Sequence, residues 1–320
     1  SAEAAAKRFQ AHMIVFPELT LTGYPPEDLL LRASVEIRVQ KALRQLQHHC
    51  GQHPQLREMY LVVGYPHMRN DGLYNGAGVL HRGEWIAEYD KHCLPNYQVF
   101  DEKRYFRAGD KPVVFSANGL LVALSICEDI WNPEPMQKAR AAGAVLMINL
   151  NASPFHIDKQ NERIALVRTR VAEGAMPVIY VNQVGGQDEL VFDGGSFAMN
   201  TDGQLAMQAP NFEQGLYPLV LHIERNKSKE AYCKISQQVL PGAQTREHNV
   251  YQALVLGVRD YVNKNGFKGI VLGLSGGIDS ALTLAIAVDA LGADRCEAVM
   301  MPFRYTADIS REDAAFEAKL

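Results

Sequence analysis

The sequence lacks several features that would assign it to a specialised class of protein. No apolar run approaches the ~18 residues that span a bilayer, and no signal peptide is visible at the N-terminus. The formal net charge of −4 gives no excess of positive charge of the kind that binds nucleic acid or a membrane surface. The 5 cysteines are odd in number and share no C-x-x-C spacing, which argues against a zinc site or a disulfide framework. We therefore expect a reduced, cytoplasmic setting.

The composition is that of a soluble globular protein, and the pattern of predicted elements indicates a mixed α/β fold. Of the 320 residues, 47% are hydrophobic and 21% are charged, and the length exceeds the ~100–200 residues expected for one domain. A hairpin is predicted at Asp202-Gly203, between 196–200 and 205–208. Helices are predicted over 35–49 and 158–174. Apolar runs of strand length occur at 12–16, 60–64, 120–126, 145–150, 178–182 and 219–223.

The chain divides where the apolar pattern fades. Residues 224–245 become charged and then contain Pro241-Gly242, so we predict domains at 1–223 and 249–320, joined by a linker at 224–248. Both ends look cut. Residues 1–10 resemble the last turns of a helix without a start signal, and the helix predicted over 311–320 stops without a cap. We expect a second domain that is incomplete in this sequence, with most of its substrate contacts beyond Leu320.

A strand, a Gly-rich loop and a helix follow one another near the end of the sequence. Residues 270–274 are an apolar run of strand length, and 281–291 form an Ala/Leu-rich helical stretch that ends at Gly292. The intervening loop contains Ser275, Gly276, Gly277, Asp279 and Ser280. Glycines allow close approach to an anion, and the helix N-terminus supplies partial positive charge. Asp279 would repel bare phosphate, so the loop indicates a nucleotide with bound Mg²⁺, which Asp279 would hold.

This loop is not a Walker A motif, because no Gly-Lys-Ser/Thr follows. It resembles the SGGxDS loop of the ATP pyrophosphatases, which hold the pyrophosphate of ATP while AMP is transferred to a substrate oxygen. The alternative is a Gly-rich turn without a ligand.

Three chemically suitable side chains lie at strand or loop ends of the first domain. Glu18 follows the strand at 12–16, Cys127 follows the strand at 120–126, and Lys91 lies in a segment rich in aromatic residues. A carboxylate, an amine and a thiol are the groups needed to hydrolyse an amide through a thioester. Cys93, two residues from Lys91, is a second thiol for which the pattern suggests no role.

These segments resemble the nitrilase, or carbon–nitrogen hydrolase, superfamily. The flanking sequences FPELTLTGYPPEDLL, DKHCLPNYQVFDEKRYF, ICEDIW and NASPFH are similar to those of the glutamine-dependent NAD synthetases, which carry SGGxDS in their second domain. The resemblance implies an α/β fold, a nitrilase-like α-β-β-α sandwich followed by the start of a Rossmann-like ATP-pyrophosphatase domain. It implies that ATP and Mg²⁺ activate deamido-NAD and that ammonia from glutamine displaces AMP.

The resemblance also implies individual roles. Glu18 is the general base, Cys127 is the nucleophile and Lys91, with the N–H of Glu128, stabilises the tetrahedral intermediate. Glu102 is the accessory glutamate, and the glutamine pocket contains Tyr24, Tyr97, Glu128 and Ser153. Phe303 stands where a small residue is expected.

Two other functions remain open at this point. One is a stand-alone nitrilase-type amidase whose C-terminal segment is non-functional, and the other is a non-catalytic module that only oligomerises. For the enzyme we expect small-molecule substrates and a homo-oligomer, with no nucleic-acid or membrane partner.

Overall fold

The computed structural model describes residues 1–225, 231–242 and 244–320. The chain forms two compact units. Unit 1 comprises Ser1–Ser153, Asp158–Gln183 and Gly194–Gly242. Unit 2 comprises Pro154–Ile157, Val184–Asp193 and Ala243–Leu320. Unit 2 therefore includes two short segments from the part of the sequence assigned to the first domain. Residues 226–230 and 243 of the predicted linker lie outside the described residues, and the predicted domain bounds stay a prediction.

The helices and strands follow in chain order. The strands are β1 Met13–Val15, β2 Tyr60–Arg69, β3 Gly72–His81, β4 Glu84–Asp90, β5 Val114–Ala117, β6 Leu120–Ile126, β7 Leu146–Asn151, β8 Val178–Asn182, β9 Val184–Gln187, β10 Leu190–Asp193, β11 Phe197–Met199, β12 Leu205–Gln208, β13 Leu221–Arg225, β14 Ala231–Ile235, β15 Ile270–Gly273 and β16 Cys296–Val299. The helices are α1 Ala2–Phe9, α2 Ala33–Gln52, α3 Pro133–Ala141, α4 Lys159–Gly174, α5 Arg246–Lys264, α6 Ile278–Leu291 and α7 Asp308–Glu317.

Two sheets form the centre of unit 1. One has the order β1-β2-β3-β4, in which β1 runs parallel to β2 and the other pairs are antiparallel. The other has the order β12-β11-β8-β7-β6-β5, with a parallel core of β6, β7 and β8. The carboxyl ends of β6 and β7 therefore lie at the same edge of the sheet.

Successive side chains of a strand point to opposite faces of its sheet, so each sheet packs against a different layer on each face. Val62 of β2 and Val122 of β6 belong to one buried cluster, which joins the inner faces of the two sheets. Leu61, next to Val62, packs in a cluster with residues of α1 and α2. Ala123, next to Val122, packs with residues of α3 and α4. The order of layers is α-β-β-α, which confirms the predicted fold class. Strands buried on both faces also explain the continuous apolar runs in the sequence.

Four strands of unit 1 were missed by the sequence interpretation, namely β3, β4, β5 and β14. The stretch 224–245, where the apolar pattern fades, carries β14, which pairs antiparallel with β13. Cys233 and Ile235 of β14 are buried in the cluster between the sheets. β14 has only 5 residues, and its buried Cys233 and Ile235 alternate with the exposed Tyr232 and Lys234, so the strand is too short to stand out as an apolar run. The hairpin predicted at Asp202-Gly203 is confirmed, since β11 and β12 pair antiparallel around it.

Unit 2 contains a parallel pair of strands with a helix between them. β15 pairs parallel with β16, and α6 connects them. The β9–β10 hairpin packs on α5, where the backbone N–H of Gly186 donates to Asp260 Oδ2 at 2.8 Å. Within the described ranges of the chain, no helix has the length and apolar character needed to cross a membrane.

Candidate active site

Glu18 lies three residues after the end of β1 and is completely buried in unit 1. Its Oε1 accepts hydrogen bonds from Asn75 Nδ2 at 2.7 Å and from Lys91 Nζ at 2.8 Å, while Oε2 accepts one from the backbone N–H of Ala152 at 2.8 Å. The chain reaches this position by passing close to β2. A Cβ on Gly64 would lie 2.5 Å from the backbone nitrogen of Leu19, so only glycine permits this path.

Lys91 and Glu102 complete a buried group of charges, here called the charged cluster (Glu18, Lys91, Glu102). Lys91 follows β4, and its ammonium donates to Glu18 Oε1 and, at 2.9 Å, to Glu102 Oε1. Glu102 Oε1 also accepts a hydrogen bond from the hydroxyl of Tyr24 at 2.8 Å. The structure therefore brings Glu18, Lys91, Glu102 and Tyr24 together. The sequence assigned Tyr24 to the glutamine pocket. In the structure its hydroxyl contacts the charged cluster directly.

Burial and charge act in opposite directions inside the charged cluster. Burial of Lys91 disfavours its charged form, but the carboxylates of Glu102 and Glu18 outweigh this effect and hold its pKa well above the ordinary value. Burial raises the pKa of Glu102 to about 7, although the Lys91 charge opposes the rise. The cluster therefore contains a permanent cation and a carboxyl group that can change protonation state near neutral pH.

Cys127 begins a short 3-10 helix, Cys127–Trp131, directly after β6. The thiol is buried, and the backbone at Cys127 has a φ of 42°, a left-handed conformation that is uncommon for cysteine. Burial, followed by the negative charge of Glu18, raises the pKa of the thiol well above its ordinary value, while Lys91 opposes the rise. The resting thiol is therefore neutral, and a base must take its proton before it can attack.

Asp129 fixes the turn that presents Cys127. It is completely buried, and its Oδ2 accepts hydrogen bonds from the Ile126 N–H at 2.9 Å and from the Tyr89 hydroxyl at 2.8 Å. Its Oδ1 accepts hydrogen bonds from the backbone N–H groups of His92 and Cys93 at 3.0 and 2.8 Å. One carboxylate thus ties the turn at Cys127 to the segment that follows Lys91.

A cleft of about 730 Å³ opens beside this turn. Its lining includes Tyr97, Glu128, Cys93 and Lys103. The hydroxyl of the half-exposed Tyr97 donates to Glu128 Oε2 at 2.9 Å, and burial raises the pKa of Glu128. Cys93 shares the cleft, but burial and the charge of Asp129 raise its pKa to about 12, so it forms little thiolate.

Ser153 lies just beyond β7, held by two buried polar side chains. Its backbone N–H donates to Asn182 Oδ1 at 2.9 Å, and its Oγ accepts a hydrogen bond from Arg163 Nε at 3.1 Å. Arg163 of α4 is completely buried and also donates to the Ser153 carbonyl oxygen at 2.8 Å. Arg163 therefore fixes Ser153, the residue next to the Ala152 N–H that holds Glu18.

The Gly-rich loop of unit 2 is organised by its own residues. Ser275 Oγ and Ser280 Oγ are 3.0 Å apart, the Ser275 N–H donates to Ser280 Oγ at 3.2 Å, and Ser280 Oγ donates to the Gly277 carbonyl at 2.8 Å. Gly276 has a φ of 78°, and a Cβ there would lie 2.2 Å from the carbonyl oxygen of Ser310. The helix α6 starts at Ile278, so the loop ends at a helix N-terminus, where the first N–H groups have no partner within the helix itself.

Asp279 is exposed in the first turn of α6. No group of three or more potential metal ligands occurs within the described part of the chain. A single carboxylate still fits Mg²⁺, because this ion is usually held by one or two carboxylates together with substrate phosphates. Phe303, which departs from the expected small residue, is 61% exposed.

Sequence reasoning missed three side chains that support the site. Asn75 and Asp129 hold Glu18 and the Cys127 turn, and Arg163 holds Ser153. Asp129 had a visible signal, since it is the second acidic residue after Cys127. Asn75 had none, because Glu18 is 57 positions away, and Arg163, 10 positions from Ser153, belongs to no recognisable motif.

Two family models match separate parts of the chain. The carbon–nitrogen hydrolase model matches residues 1–229, and the NAD synthase model matches residues 250–319. Because the first match covers most of the chain, the chain belongs to the carbon–nitrogen hydrolase family.

Several relatives have the same two parts. The chain is 44% identical over 315 residues to a glutamine-dependent NAD(+) synthetase of Acinetobacter baylyi, covering 98% of this chain and 56% of that protein. It is 42% identical over 330 residues to the enzyme of the same name from Aquifex aeolicus, with 95% and 57% covered. The chain thus spans a little more than half the length of these relatives.

Two solved structures illustrate the likeness. Glutamine-dependent NAD+ synthetase from Acinetobacter baumannii, in complex with ADP, superposes with a TM-score of 0.89 at 42% identity, covering 99% of this chain and 58% of that one. An amidase of the nitrilase superfamily from Nesterenkonia superposes with a TM-score of 0.58 at 28% identity, covering 65% of this chain and 77% of that one.

Proposed function

We propose that this protein forms NAD by ATP-dependent amidation of deamido-NAD, using ammonia released from glutamine at Cys127. The observation that carries the proposal is a buried Glu18–Lys91 pair near Cys127 in a chain that also has an SGGxDS loop between β15 and α6. The two family matches and the relatives named for this reaction support it.

The first half-reaction uses the charged cluster. The Cys127 thiol, neutral at rest, transfers its proton to Glu18 as sulfur attacks the amide carbon of glutamine. The proton then passes to the amide nitrogen, ammonia leaves, and water hydrolyses the remaining glutamyl thioester. Glu18 is suited to this role because three donors fix its orientation.

Lys91 is suited to stabilise the tetrahedral intermediate. Two of its three N–H donors bind Glu18 and Glu102, which leaves the third for the oxygen that becomes negative. A fixed cation in a buried site stabilises such an oxygen far more than it would in water. The backbone N–H of Glu128 is the proposed second donor, as expected from the sequence.

The glutamine head group would bind at the cleft. The Glu128 carboxylate and the Tyr97 hydroxyl form a polar pair at its wall, suited to the α-ammonium of an amino acid. Ser153 and Tyr24 are proposed to complete the pocket, with Ser153 fixed by Arg163 and Tyr24 fixed by Glu102.

The second half-reaction belongs to unit 2. Ser275, Gly276, Gly277 and Ser280 would hold the pyrophosphate of ATP, using backbone N–H groups and the start of α6. Asp279 would hold Mg²⁺, which when bound neutralises phosphate charge during adenylation. The homo-oligomeric state and the cytoplasmic location expected from the sequence also remain proposals, which sedimentation and cell fractionation would test.

Isotope transfer tests the proposed function. The full-length protein, given ATP, Mg²⁺, deamido-NAD and glutamine labelled with ¹⁵N in its amide, should form NAD carrying ¹⁵N in the nicotinamide. ATP–pyrophosphate exchange that depends on deamido-NAD should accompany it. Glutamine hydrolysis without exchange or NAD would instead support the stand-alone amidase, and absence of both activities would support the non-catalytic module.

A further inference from the structure

Asn75 of β3 contacts both charged partners of the proposed reaction. It is completely buried, and its Nδ2 donates to Glu18 Oε1 at 2.7 Å. Its backbone carbonyl accepts a hydrogen bond from the Lys91 N–H at 2.9 Å. A single residue therefore helps to set the carboxylate of Glu18 and the start of the segment that carries the Lys91 ammonium.

The other end of the Asn75 amide makes no such contact. Asn75 Oδ1 is buried without a hydrogen-bond partner among the residues that the structure describes. The hydrogen bond that the Asn75 amide makes is the one donated to Glu18 Oε1. Loss of this side chain would therefore remove a donor from the proposed base.

The three donors to Glu18 are distributed unequally over its two oxygens. Oε1 accepts from Asn75 and Lys91, whereas Oε2 accepts from the Ala152 N–H alone among the residues that the structure describes. Each carboxylate oxygen offers about two acceptor positions. Oε1 is therefore filled, and the open position belongs to Oε2.

We propose that Asn75 is a positioning residue that, with Lys91, fills Oε1 of Glu18 and directs the proton of the Cys127 thiol to Oε2. The S–H bond breaks with its electron pair kept by sulfur, which forms the S–C bond as the carbonyl pair moves to oxygen. Oε2 then returns the proton to nitrogen as the C–N bond breaks and ammonia leaves. This inference rests on the proposed glutamine hydrolysis, and Asn75 itself touches no reacting atom.

Asn149 of β7 offers a matched control. It is also completely buried in unit 1, its Nδ2 makes one hydrogen bond, to Ser125 Oγ at 2.9 Å, and its Oδ1 has no partner in the described ranges. The Asn149 amide donates to the Ser125 hydroxyl, whereas the Asn75 amide donates to Glu18, the proposed base. Asn149→Ala therefore reproduces the loss of a buried amide without touching Glu18.

Steady-state glutamine hydrolysis by the full-length protein tests the proposal. Asn75→Ala should lower kcat about 10–100-fold, the effect of losing a hydrogen bond to a charged group, and leave KM within about 2-fold. The acid limb of the kcat–pH profile should move to higher pH, because the ionised base has lost a donor. Asn149→Ala should keep the parent kcat and profile. An unchanged kcat and profile in Asn75→Ala, or the same changes in Asn149→Ala, would overturn the proposal.

A second readout separates this inference from the proposed function. Alkylation of Cys127 by iodoacetamide, followed by mass spectrometry of the Cys127 peptide across pH, reports proton transfer to the base without requiring glutamine. Asn75→Ser, which leaves a smaller cavity if Asn75→Ala does not fold, should slow alkylation below neutral pH, and the parent rate would contradict the inference. A parent protein that is alkylated but hydrolyses no glutamine would refute the proposed function alone.

Discussion

The charged cluster of unit 1 and the Gly-rich loop of unit 2 are assembled in opposite ways. The hydrogen bonds to Glu18 join residues 57, 73 and 134 positions away along the chain. The hydrogen bonds within the loop join residues only 2 to 5 positions apart. Glu18 and Lys91 are fully buried, whereas Asp279 is exposed. Substitutions in the cluster should therefore change stability and activity together, whereas those in the loop should change activity alone.

The largest effect is expected from Cys127→Ala. Loss of the proposed nucleophile should lower glutamine hydrolysis by about 10⁴-fold or more, because members of such a unit fail together. Ammonia-driven NAD formation in the full-length protein should stay within about 2-fold of the parent, since the proposed role of the thiol is only to release ammonia. Both rates are measured by NAD formation with each nitrogen source.

Cys50→Ala provides the control for this experiment, because Cys50 lies on α2 in the cluster with α1 and does not line the cleft. It should hydrolyse glutamine at the parent rate. Parent-rate hydrolysis by Cys127→Ala would refute the assigned nucleophile.

Lys91→Met tests whether the cluster couples stability to activity. The substitution leaves Glu18 and Glu102 buried without their cation, so the free energy of unfolding should fall by about 3–5 kcal/mol. Lys138→Met, which breaks the Lys138–Glu134 pair on the surface of α3, should lower the free energy of unfolding much less, because solvent screens this pair. Urea unfolding of the two variants measures the difference. Equal losses would mean that burial does not distinguish the cluster from a surface ion pair.

Glu102→Gln should alter the pH dependence of stability. The pKa of Glu102 in the folded protein is about 7, above the ordinary value of 4.5. Between these values the folded protein keeps a proton that the unfolded chain releases, so this contribution to stability is present below pH 4.5 and lost as pH rises through about 7. The variant cannot release this proton, so its free energy of unfolding should fall less than that of the parent as pH rises through this range. The two should differ by up to roughly 3 kcal/mol.

Chemical unfolding at pH 5 and pH 8 measures this difference in slope. Glu36→Gln, at an exposed position on α2, is the matched control and should keep the parent slope. A parent slope in Glu102→Gln would show that the buried carboxyl does not titrate in this range.

Asp279→Asn is expected to lower activity with the smallest effect on stability. Adenylation, followed by ATP–pyrophosphate exchange in the full-length protein, should fall about 10–100-fold because the ligand proposed for Mg²⁺ loses its charge. The free energy of unfolding should stay within about 0.5 kcal/mol of the parent, as expected for an exposed position. Asp294→Asn, also exposed in unit 2, should change neither quantity. Full exchange activity in Asp279→Asn would exclude the metal role.

The sequence by itself determined the pieces whose signals are local. Strand β6 and the predicted run 120–126 coincide because a strand buried on both faces reads as continuous apolar sequence. The loop 275–280 was predictable as a unit because strand, glycines and helix are adjacent in the chain, and its hydrogen bonds join near neighbours. The resemblance of short segments around Glu18, Lys91 and Cys127 supplied the remaining candidates.

Only the tertiary structure decided how those candidates meet and what holds them. The partner of Asn75 is far along the chain, and Arg163 belongs to no recognisable motif. No local pattern therefore marks either residue. β14 escaped detection because its 5 residues are too few to stand out as an apolar run. The pKa of Glu102 depends on burial and on Lys91, which the fold brings within 2.9 Å. Local sequence sets backbone preferences and residue chemistry, whereas burial and charge pairing arise only when distant segments pack together.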